Sequence, residues 1–237
     1  MQSFCENSVN TELIATGTSG IAWTIVYFAL VYRGIKDKSY GMPLVPLALN
    51  FAWETVFSMV YPPAATGLAG IIINAVWMVC DIGIIYTYFN YGYKYYEQYY
   101  GMSKLQWIGY SVFAFVLAFG IMLAGGPFLG QFIPYFKGDI FQGAIFIAYV
   151  QNLVISICFL LMIWQRRSSE GQSLTIGVFK CIGTGLTVGI YYLFDLHKGK
   201  ADLMNIIIGA TFLLDLIYIR TLYRQLEREG KNAWARF

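Results

Sequence analysis

The stretch Leu44-Val-Pro-Leu-Ala-Leu-Asn-Phe-Ala-Trp-Glu-Thr-Val-Phe-Ser-Met-Val-Tyr61 is apolar along almost its whole length, and Glu54 is its one charged residue. As an α-helix rising 1.5 Å per residue, it is long enough to cross most of the roughly 30 Å hydrocarbon core of a bilayer. A carboxylate at that depth costs about 3 kcal/mol on insertion scales. The stretch therefore predicts a membrane span that carries a buried acid with a functional role.

The composition extends this prediction to the whole chain of 237 residues. It is 58% hydrophobic and 12% charged, with a mean hydropathy of +0.57. Soluble domains carry about twice that charged fraction. The charges lie between apolar runs, and no polar segment is long enough to fold alone. We therefore expect an all-α polytopic membrane protein in which residues 1–237 form a single domain, a bundle of seven transmembrane helices.

The basic residues predict the orientation of the spans. The predicted spans are Thr11–Tyr32, Leu44–Tyr61, Gly67–Phe89, Gln106–Ala124, Ile140–Trp164, Leu174–Phe194 and Leu203–Tyr223. Eleven Lys and Arg residues lie in the first, third and fifth loops and the C-terminal tail, and three lie in the other loops. The positive-inside rule then places the N-terminus in the lumen or outside and the C-terminus in the cytosol. The net charge of +3 reflects this loop bias and gives no reason to expect a nucleic-acid partner.

Four predicted spans carry polar and aromatic residues at helical spacing. They are Asn50, Trp53, Glu54 and Phe57 in the second span, Asn74, Trp77 and Asp81 in the third, Lys180 and Thr184 in the sixth, and Phe212, Asp215 and Tyr218 in the seventh. Residues three, four and seven apart share one face of a helix. Because polar atoms facing lipid would remain unsatisfied, these faces predict one interior cavity. Two other interpretations stay open: polar residues that only join helices by hydrogen bonds, and a Lys180 that reaches the cytosolic interface or pairs with Asp81.

Acids and aromatic rings in one dry cavity favour cation chemistry. Burial disfavours the ionised form of a carboxyl group, so a buried acid can stay protonated near neutral pH and donate its proton. Aromatic faces attract cations, and Trp53, Phe57, Trp77 and Phe212 all lie near the acids in sequence. The same groups would also suit a simple binding pocket.

These residues resemble a known family, the small membrane-integral terpene cyclases of fungal meroterpenoid and indole-diterpene pathways, the paxilline-type cyclases with their bacterial relatives. The resemblance covers nearly the whole chain. Its motifs here are Lys38-Ser-Tyr-Gly-Met-Pro, Asn50-Phe-Ala-Trp-Glu54, Tyr61-Pro, Trp77-x-x-x-Asp81, Ile182-Gly-Thr184 and Phe212-Leu-Leu-Asp-Leu-Ile-Tyr218.

The resemblance implies a seven-helix enzyme without metal or cofactor. Such an enzyme protonates an epoxide or a terminal alkene on a prenylated meroterpenoid or indole-terpenoid, and neighbouring double bonds then close rings. The family's two essential acids correspond to Glu54 and Asp215. Either one could deliver the proton, and Asp215 could polarise, reprotonate or share the proton with Glu54. The family leads us to expect Arg where this chain has Lys180, which lacks the bidentate fork of Arg.

Further residues are expected to contact the substrate: Asn50, Trp53, Phe57, Asn74, Trp77, Asp81, Lys180, Phe212 and Tyr218. The expected partners are the prenylated substrate and the lipid bilayer. The membrane would be the endoplasmic reticulum in a fungal host and the plasma membrane in a bacterial one.

Sequence patterns for other mechanisms are missing or weak. The chain has no Asp-Asp-x-x-Asp run for magnesium and diphosphate, and no Asp-x-Asp-Asp run typical of soluble protonating cyclases. A proton-coupled transporter remains the alternative, because intramembrane acids are common in transporters and seven spans can arise from two triple-helix repeats plus a linker. No such repeat is evident in the sequence. A retinal protein would need a Schiff-base lysine in the last span, where the one basic residue is Arg220.

Overall fold

The computed structural model describes residues 2–62, 67–186 and 202–237, and every regular element within them is helical. The helices are α1 (Gln2–Asp37), α2 (Leu44–Thr55), α3 (Gly67–Tyr91), α4 (Tyr93–Tyr100), α5 (Lys104–Phe132), α6 (Ile140–Arg166), α7 (Leu174–Lys180) and α8 (Asp202–Arg228). A short 3₁₀ turn, Pro134–Phe136, precedes α6.

Four of these helices are long and apolar enough to cross a membrane: Ile71–Tyr91, Lys104–Phe132, Ile140–Arg166 and Leu203–Arg228. Two shorter apolar helical segments, Leu44–Val60 and Leu174–Gly185, lie at the predicted second and sixth spans. The first predicted span lies within α1, which begins well before it, at Gln2. Residues 187–194 of the sixth predicted span are outside the described residues. The helical membrane class is thus confirmed, while the count of seven spans and the orientation stay predictions.

Short polar caps fix where several helices begin. Ser103 caps α5 in a capping box: its side chain accepts from the Gln106 backbone N–H, and the Gln106 side chain accepts from the Ser103 backbone N–H. Asp139 caps α6 and Ser173 caps α7. Each side chain accepts hydrogen bonds from backbone N–H groups in the first turn of its helix. Such caps satisfy donors that have no partner within the helix.

The two short helices share an unusual backbone feature. Helix α2 passes into a π-helical turn at Val56–Val60, directly after Glu54 and Thr55. Helix α7 passes into another at Cys181–Leu186, directly after Lys180. Isolated π-turns often mark functional positions because they redirect side chains out of the regular α-helical register. Both turns here follow a buried ionisable residue.

The helices pack so that α1, α2, α3, α6 and α7 surround the predicted polar faces. Helix α3 contacts α1 and α2, and α8 contacts α6 and α7. Helix α1 also contacts α7, α2 contacts α6, and α5 packs on both α2 and α6. Polar residues of the second, third, sixth and seventh predicted spans are therefore brought together from two sides.

One end of the bundle is closed by the loops after α1 and α6. The guanidinium carbon of Arg166 lies 3.9 Å from the ring centre of Tyr40 and 4.1 Å from that of Tyr95, and its Nη1 donates to the Tyr40 carbonyl at 2.9 Å. Stacking on two rings offsets part of the cost of burying this cation. Arg236, near the C-terminus, binds Asp37 at 2.5 Å, so the tail folds back onto these loops.

The carboxylate of Glu229 takes part in the same closure. Partial burial alone would raise its pKa, but hydrogen bonds from Lys231, Ser169 and Gln225 lower the pKa of Glu229 to about 2. Glu229 is therefore bound by these hydrogen bonds as an ionised carboxylate.

Gly171 is the position in this closure least able to accept a side chain. Its φ is +75°, and a Cβ there would lie 2.7 Å from the Tyr40 carbonyl oxygen. We expect Gly171→Ala to destabilise the protein through left-handed strain of about 1–2 kcal/mol plus this clash. Thermal unfolding in detergent measures the effect. Gly101→Ala is the matched control, because Gly101 has φ +63° and open space around it. Equal losses of Tm in both variants would contradict the loop contact.

Candidate active site

Glu54 sits at the centre of the buried polar network. Its side chain projects from α2 one turn after Asn50, and the two residues are 2% and 6% exposed. Glu54 Oε1 accepts a hydrogen bond from the Tyr27 hydroxyl and another from Asn50 Nδ2 at 3.3 Å. Glu54 Oε2 is buried, and a side-chain hydrogen bond joins the carboxyl groups of Glu54 and Asp81. A protonated Glu54 would therefore carry its proton on Oε2, because Oε1 is already an acceptor for two donors.

Asn50 joins three helices to α2. Its Nδ2 donates to the Tyr27 hydroxyl on α1 and lies 3.3 Å from Asp81 Oδ2 on α3. Its Oδ1 accepts from Gln151 Nε2 on α6 at 2.7 Å. Asn50 thus orients Glu54 and Asp81 together, and its own hydrogen-bonding groups are used within the protein.

Asp81 is the nearest acidic partner of Glu54. It is fully buried, shares the Asn50 amide with Glu54, and interacts electrostatically with it. None of the ion pairs in the described part of the chain includes either acid. Two ionised carboxylates without a cation would be costly in a low-dielectric interior, which favours a proton on at least one of them.

Asp215 has a different partner. Its Oδ1 lies 2.5 Å from Lys180 Nζ, and the same ammonium group donates to Ser156 Oγ at 2.5 Å. Lys180 and Asp215 are 0% and 1% exposed. In the described residues no hydrogen bond joins Asp215 to Glu54, and Lys180 pairs with Asp215 rather than with Asp81. The structure thus holds Glu54 with Asp81 and pairs Lys180 with Asp215, while the catalytic roles of these residues stay predictions.

Tyr27 also begins an aromatic wall next to the acid. Its ring stacks on Trp77 with ring centroids 5.8 Å apart. Trp23, one turn earlier on α1, has its ring centroid 6.0 Å from that of Tyr27. The indole N–H of Trp77 donates to Thr24 at 2.9 Å, and that of Trp23 donates to Thr184 at 3.0 Å. These hydrogen bonds fix the planes of the two indoles beside the hydroxyl that binds Glu54.

The other predicted aromatic residues have different packing partners. Trp53 and Phe57 pack against each other at 5.2 Å, and the Trp53 N–H donates to the Ala144 carbonyl on α6. Phe212 on α8 packs against Gly185, where a methyl group would come within 2.7 Å of the ring. Among the four predicted aromatic residues, Trp77 stacks on Tyr27, which donates a hydrogen bond to Glu54.

Two further predicted residues take no part in the acid network. Asn74 is buried on α3, but none of the hydrogen bonds described around Glu54 involves it. Tyr218 donates its hydroxyl to Gln172 in the loop before α7, so it anchors that loop. Tyr27, Gln151 and Ser156, which lie on α1 and α6, take part in these contacts but are not among the predicted site residues. The adjacent Gln151 and Asn152 in the middle of an apolar span were a signal that could have identified α6.

No group of three or more His, Cys, Asp or Glu side chains in the described residues is arranged to hold a metal ion. The chemistry available in this network is proton donation from a buried carboxyl group, with an ion pair and oriented aromatic rings in the same bundle.

The comparisons with known proteins point to one family. The family model for Pyr4-like transmembrane terpene cyclases matches residues 7–229. The chain is 30% identical over 170 residues to the Pyr4-family terpene cyclase mfmH of Annulohypoxylon moriforme, a match covering 70% of this chain and 64% of mfmH. It is 28% identical over 173 residues to the terpene cyclase ptmB of Penicillium ochrochloron, covering 72% and 65% of the two chains.

A third relative matches over more of its length. The terpene cyclase olcD of Penicillium canescens is 29% identical over 229 residues, covering 92% of this chain and 86% of olcD. Against mfmH and ptmB, this chain spans just under two thirds of the relative's length. No solved structure matches the chain significantly.

Proposed function

This chain belongs to the Pyr4-like transmembrane terpene cyclases, and from that membership we propose that it cyclises a prenylated small molecule inside the membrane. The observation that carries the proposal is the asymmetric environment of Glu54. One carboxyl oxygen is held by the donors Tyr27 and Asn50, and the carboxyl group also shares a side-chain hydrogen bond with the acid Asp81. That arrangement suits an acid which must hand its proton to a substrate.

Glu54 is the proposed proton donor. Its Oε2–H bond breaks as the proton moves to an epoxide oxygen or to the less substituted carbon of the terminal double bond, which leaves the positive charge on the more substituted carbon. The electron-poor carbon then accepts electrons from the next double bond, and each ring closure passes the positive charge along the prenyl chain. Loss of a proton or capture of a nucleophile ends the sequence. The hydrogen bonds to Oε1 stabilise the carboxylate that remains on Glu54.

Asp215 is the second proposed catalytic residue, with a different role. Its carboxylate is paired with Lys180. As a buried anion, Asp215 can then stabilise a nearby cation without donating a proton itself. Asp215 Oδ2 has no hydrogen-bond partner and is the oxygen suited to face a developing cation. We assign proton donation to Glu54 and charge stabilisation to Asp215, with Trp77 and the ring of Tyr27 as the aromatic surface beside the starting carbon.

A membrane interior suits this reaction physically. A long prenyl tail partitions into lipid and can enter the bundle from there. Exclusion of water keeps the cation from being trapped after the first ring. A proton-coupled transporter would also use buried acids, so the two functions are distinguished by whether a cyclised product forms.

Product formation in heavy water tests the proposal and distinguishes the two triggers. Membranes containing the protein are incubated in D₂O with a farnesylated aromatic substrate, supplied as the terminal alkene and as the terminal epoxide. Protonation of the alkene places one deuterium on carbon, which survives work-up in H₂O. Protonation of the epoxide places it on oxygen, where it exchanges away. We expect cyclised product from one of the two substrates, with the corresponding label.

Membranes without the protein serve as the control for spontaneous cyclisation. The absence of cyclised product from both substrates, together with Glu54-dependent flux of a small molecule in proteoliposomes, would overturn the cyclase assignment in favour of the transporter.

A further inference from the structure

The helices of this bundle repeat one packing pattern twice. In the first half, α1 to α3, the third helix contacts both of the others. In the second half, α6 to α8, the third helix again contacts both of the others. Across the halves, α1 contacts α7 and α6 contacts α2, so the first helix of each half packs on the second helix of the other. Helices α4 and α5 connect the halves.

The backbone follows the same course in both halves, with one more residue in the loop after α6 than in the loop after α1. Helix α1 ends before Lys38 and α6 before Arg167, and both of these basic residues have φ 49°. The following loops meet at Gly41 and Gly171, where a Cβ on Gly41 would lie 2.6 Å from the Gly171 carbonyl oxygen. Two copies of one element that face each other across a two-fold axis meet at equivalent positions. Gly41 and Gly171 contact each other as two such equivalent positions would.

Polar residues occupy matching positions along the paired helices. Tyr27 lies eleven residues before the left-handed residue that follows α1, and Ser156 lies eleven before the one that follows α6. Asn50 lies six residues after the start of α2, and Lys180 six after the start of α7. Each half therefore places a hydroxyl and a nitrogen donor at the same number of residues from these helix ends.

The contacts made at these positions also match. We call the two sets the first junction (Tyr27, Asn50 and Asp81) and the second junction (Ser156, Lys180 and Asp215). In the first junction, the Asn50 amide donates to the hydroxyl on the first helix and to the carboxyl on the third. In the second junction, the Lys180 ammonium donates to the hydroxyl on the first helix and to the carboxyl on the third. Each junction ties its three helices together through a single nitrogen.

One matched position differs in chemical class. Ten residues after the start of α2 the chain has Glu54, and ten after the start of α7 it has Thr184. Thr184 accepts from the Trp23 indole and donates to Asn152 Oδ1, so it joins helices. The first half alone adds an acid next to its junction.

We propose that the chain is built from two matching three-helix halves, and that Tyr27 and Ser156 are equivalent positioning residues, one holding Glu54 and the other the Lys180–Asp215 pair. The catalytic part of this inference rests on the function proposed above. Tyr27 acts by fixing Oε1 of Glu54 as an acceptor, which leaves the proton of Glu54 to Oε2. Ser156 acts by holding the Lys180 ammonium against Asp215.

The test measures turnover and thermal unfolding for Tyr27→Phe, Ser156→Ala and Asn50→Leu, singly and in pairs. Tyr27→Phe should lower kcat roughly 10- to 100-fold while KM changes little, because a hydrogen bond to the reacting acid is lost. Its solvent deuterium isotope effect should rise as proton transfer becomes rate-limiting. Within the first junction, the combined effect of Tyr27→Phe and Asn50→Leu should be smaller than the product of the two single effects. Between junctions, the effects of Tyr27→Phe and Ser156→Ala should multiply.

Tyr32→Phe and Thr221→Val are the matched controls, since these hydroxyls lie outside both junctions and bind only neighbouring turns of their own helices. Full turnover in Tyr27→Phe, or coupling between the junctions as strong as coupling within one, would overturn the proposal. The pairs are also compared by Tm, which reports junction coupling even if no cyclase product forms. A failure of the proposed function is thereby distinguished from a failure of the matched junctions.

Discussion

Replacement of Glu54 by Gln is expected to abolish cyclisation while the protein remains folded and in the membrane. Gln keeps the shape of the side chain, and its carbonyl oxygen can accept from Tyr27 and Asn50 as Glu54 Oε1 does. It has no acidic proton to donate. Loss of a general acid typically costs 10²- to 10⁴-fold in rate, and an acid that starts the cation cascade should be at or above the upper end of that range. Product formed by membranes with equal amounts of each variant measures the effect.

The matched control is Glu97→Gln, which makes the same chemical change at an exposed residue on α4. It should retain native turnover. Glu54→Asp should show intermediate activity, because the acid is kept but withdrawn by one methylene from the Tyr27 hydroxyl. Turnover in Glu54→Gln within tenfold of the native rate would remove Glu54 from the role of proton donor.

Replacement of Lys180 by Met is expected to cause the largest loss of stability. The ammonium group is fully buried, and its removal leaves Asp215 as an uncompensated buried carboxylate. Breaking a buried ion pair from one side typically costs about 3–5 kcal/mol. For a chain of this size that corresponds to a fall in Tm of roughly 10 °C. Thermal unfolding in detergent checks the result.

The double variant Lys180→Met, Asp215→Leu separates the structural role of this pair from its catalytic role. Removing both charges should restore most of the stability, because a buried ion pair is often replaceable by apolar side chains. Activity should remain absent, since the proposed anion near the cation is gone. Recovery of both stability and turnover would show that the pair only holds helices together and would withdraw Asp215 from the catalytic set.

Much of the candidate site follows from residue type and helical spacing. Glu54, Asp81 and Asp215 are recognisable because each is an acid within an apolar stretch, and the buried state of all three agrees with that reasoning. Asn50 is recognisable because it lies one turn before Glu54 on the same face. Tyr27 and Ser156 were not, because a Tyr or Ser inside an apolar span is ordinary and gains importance only from the residue it contacts.

The sequence by itself determined that this chain is a helical membrane protein with acids buried in its interior, and its motifs indicated the terpene cyclase family. These properties depend on composition and on spacing along one helix, which the sequence states directly. Only the tertiary structure decided that Glu54 is held with Asp81 by Asn50, and that Lys180 pairs with Asp215. It also revealed a repeat that the sequence does not display. Helical periodicity defines the residues that share one face, but the packing of one helix on another decides which faces meet. That packing gives each acid its own partner.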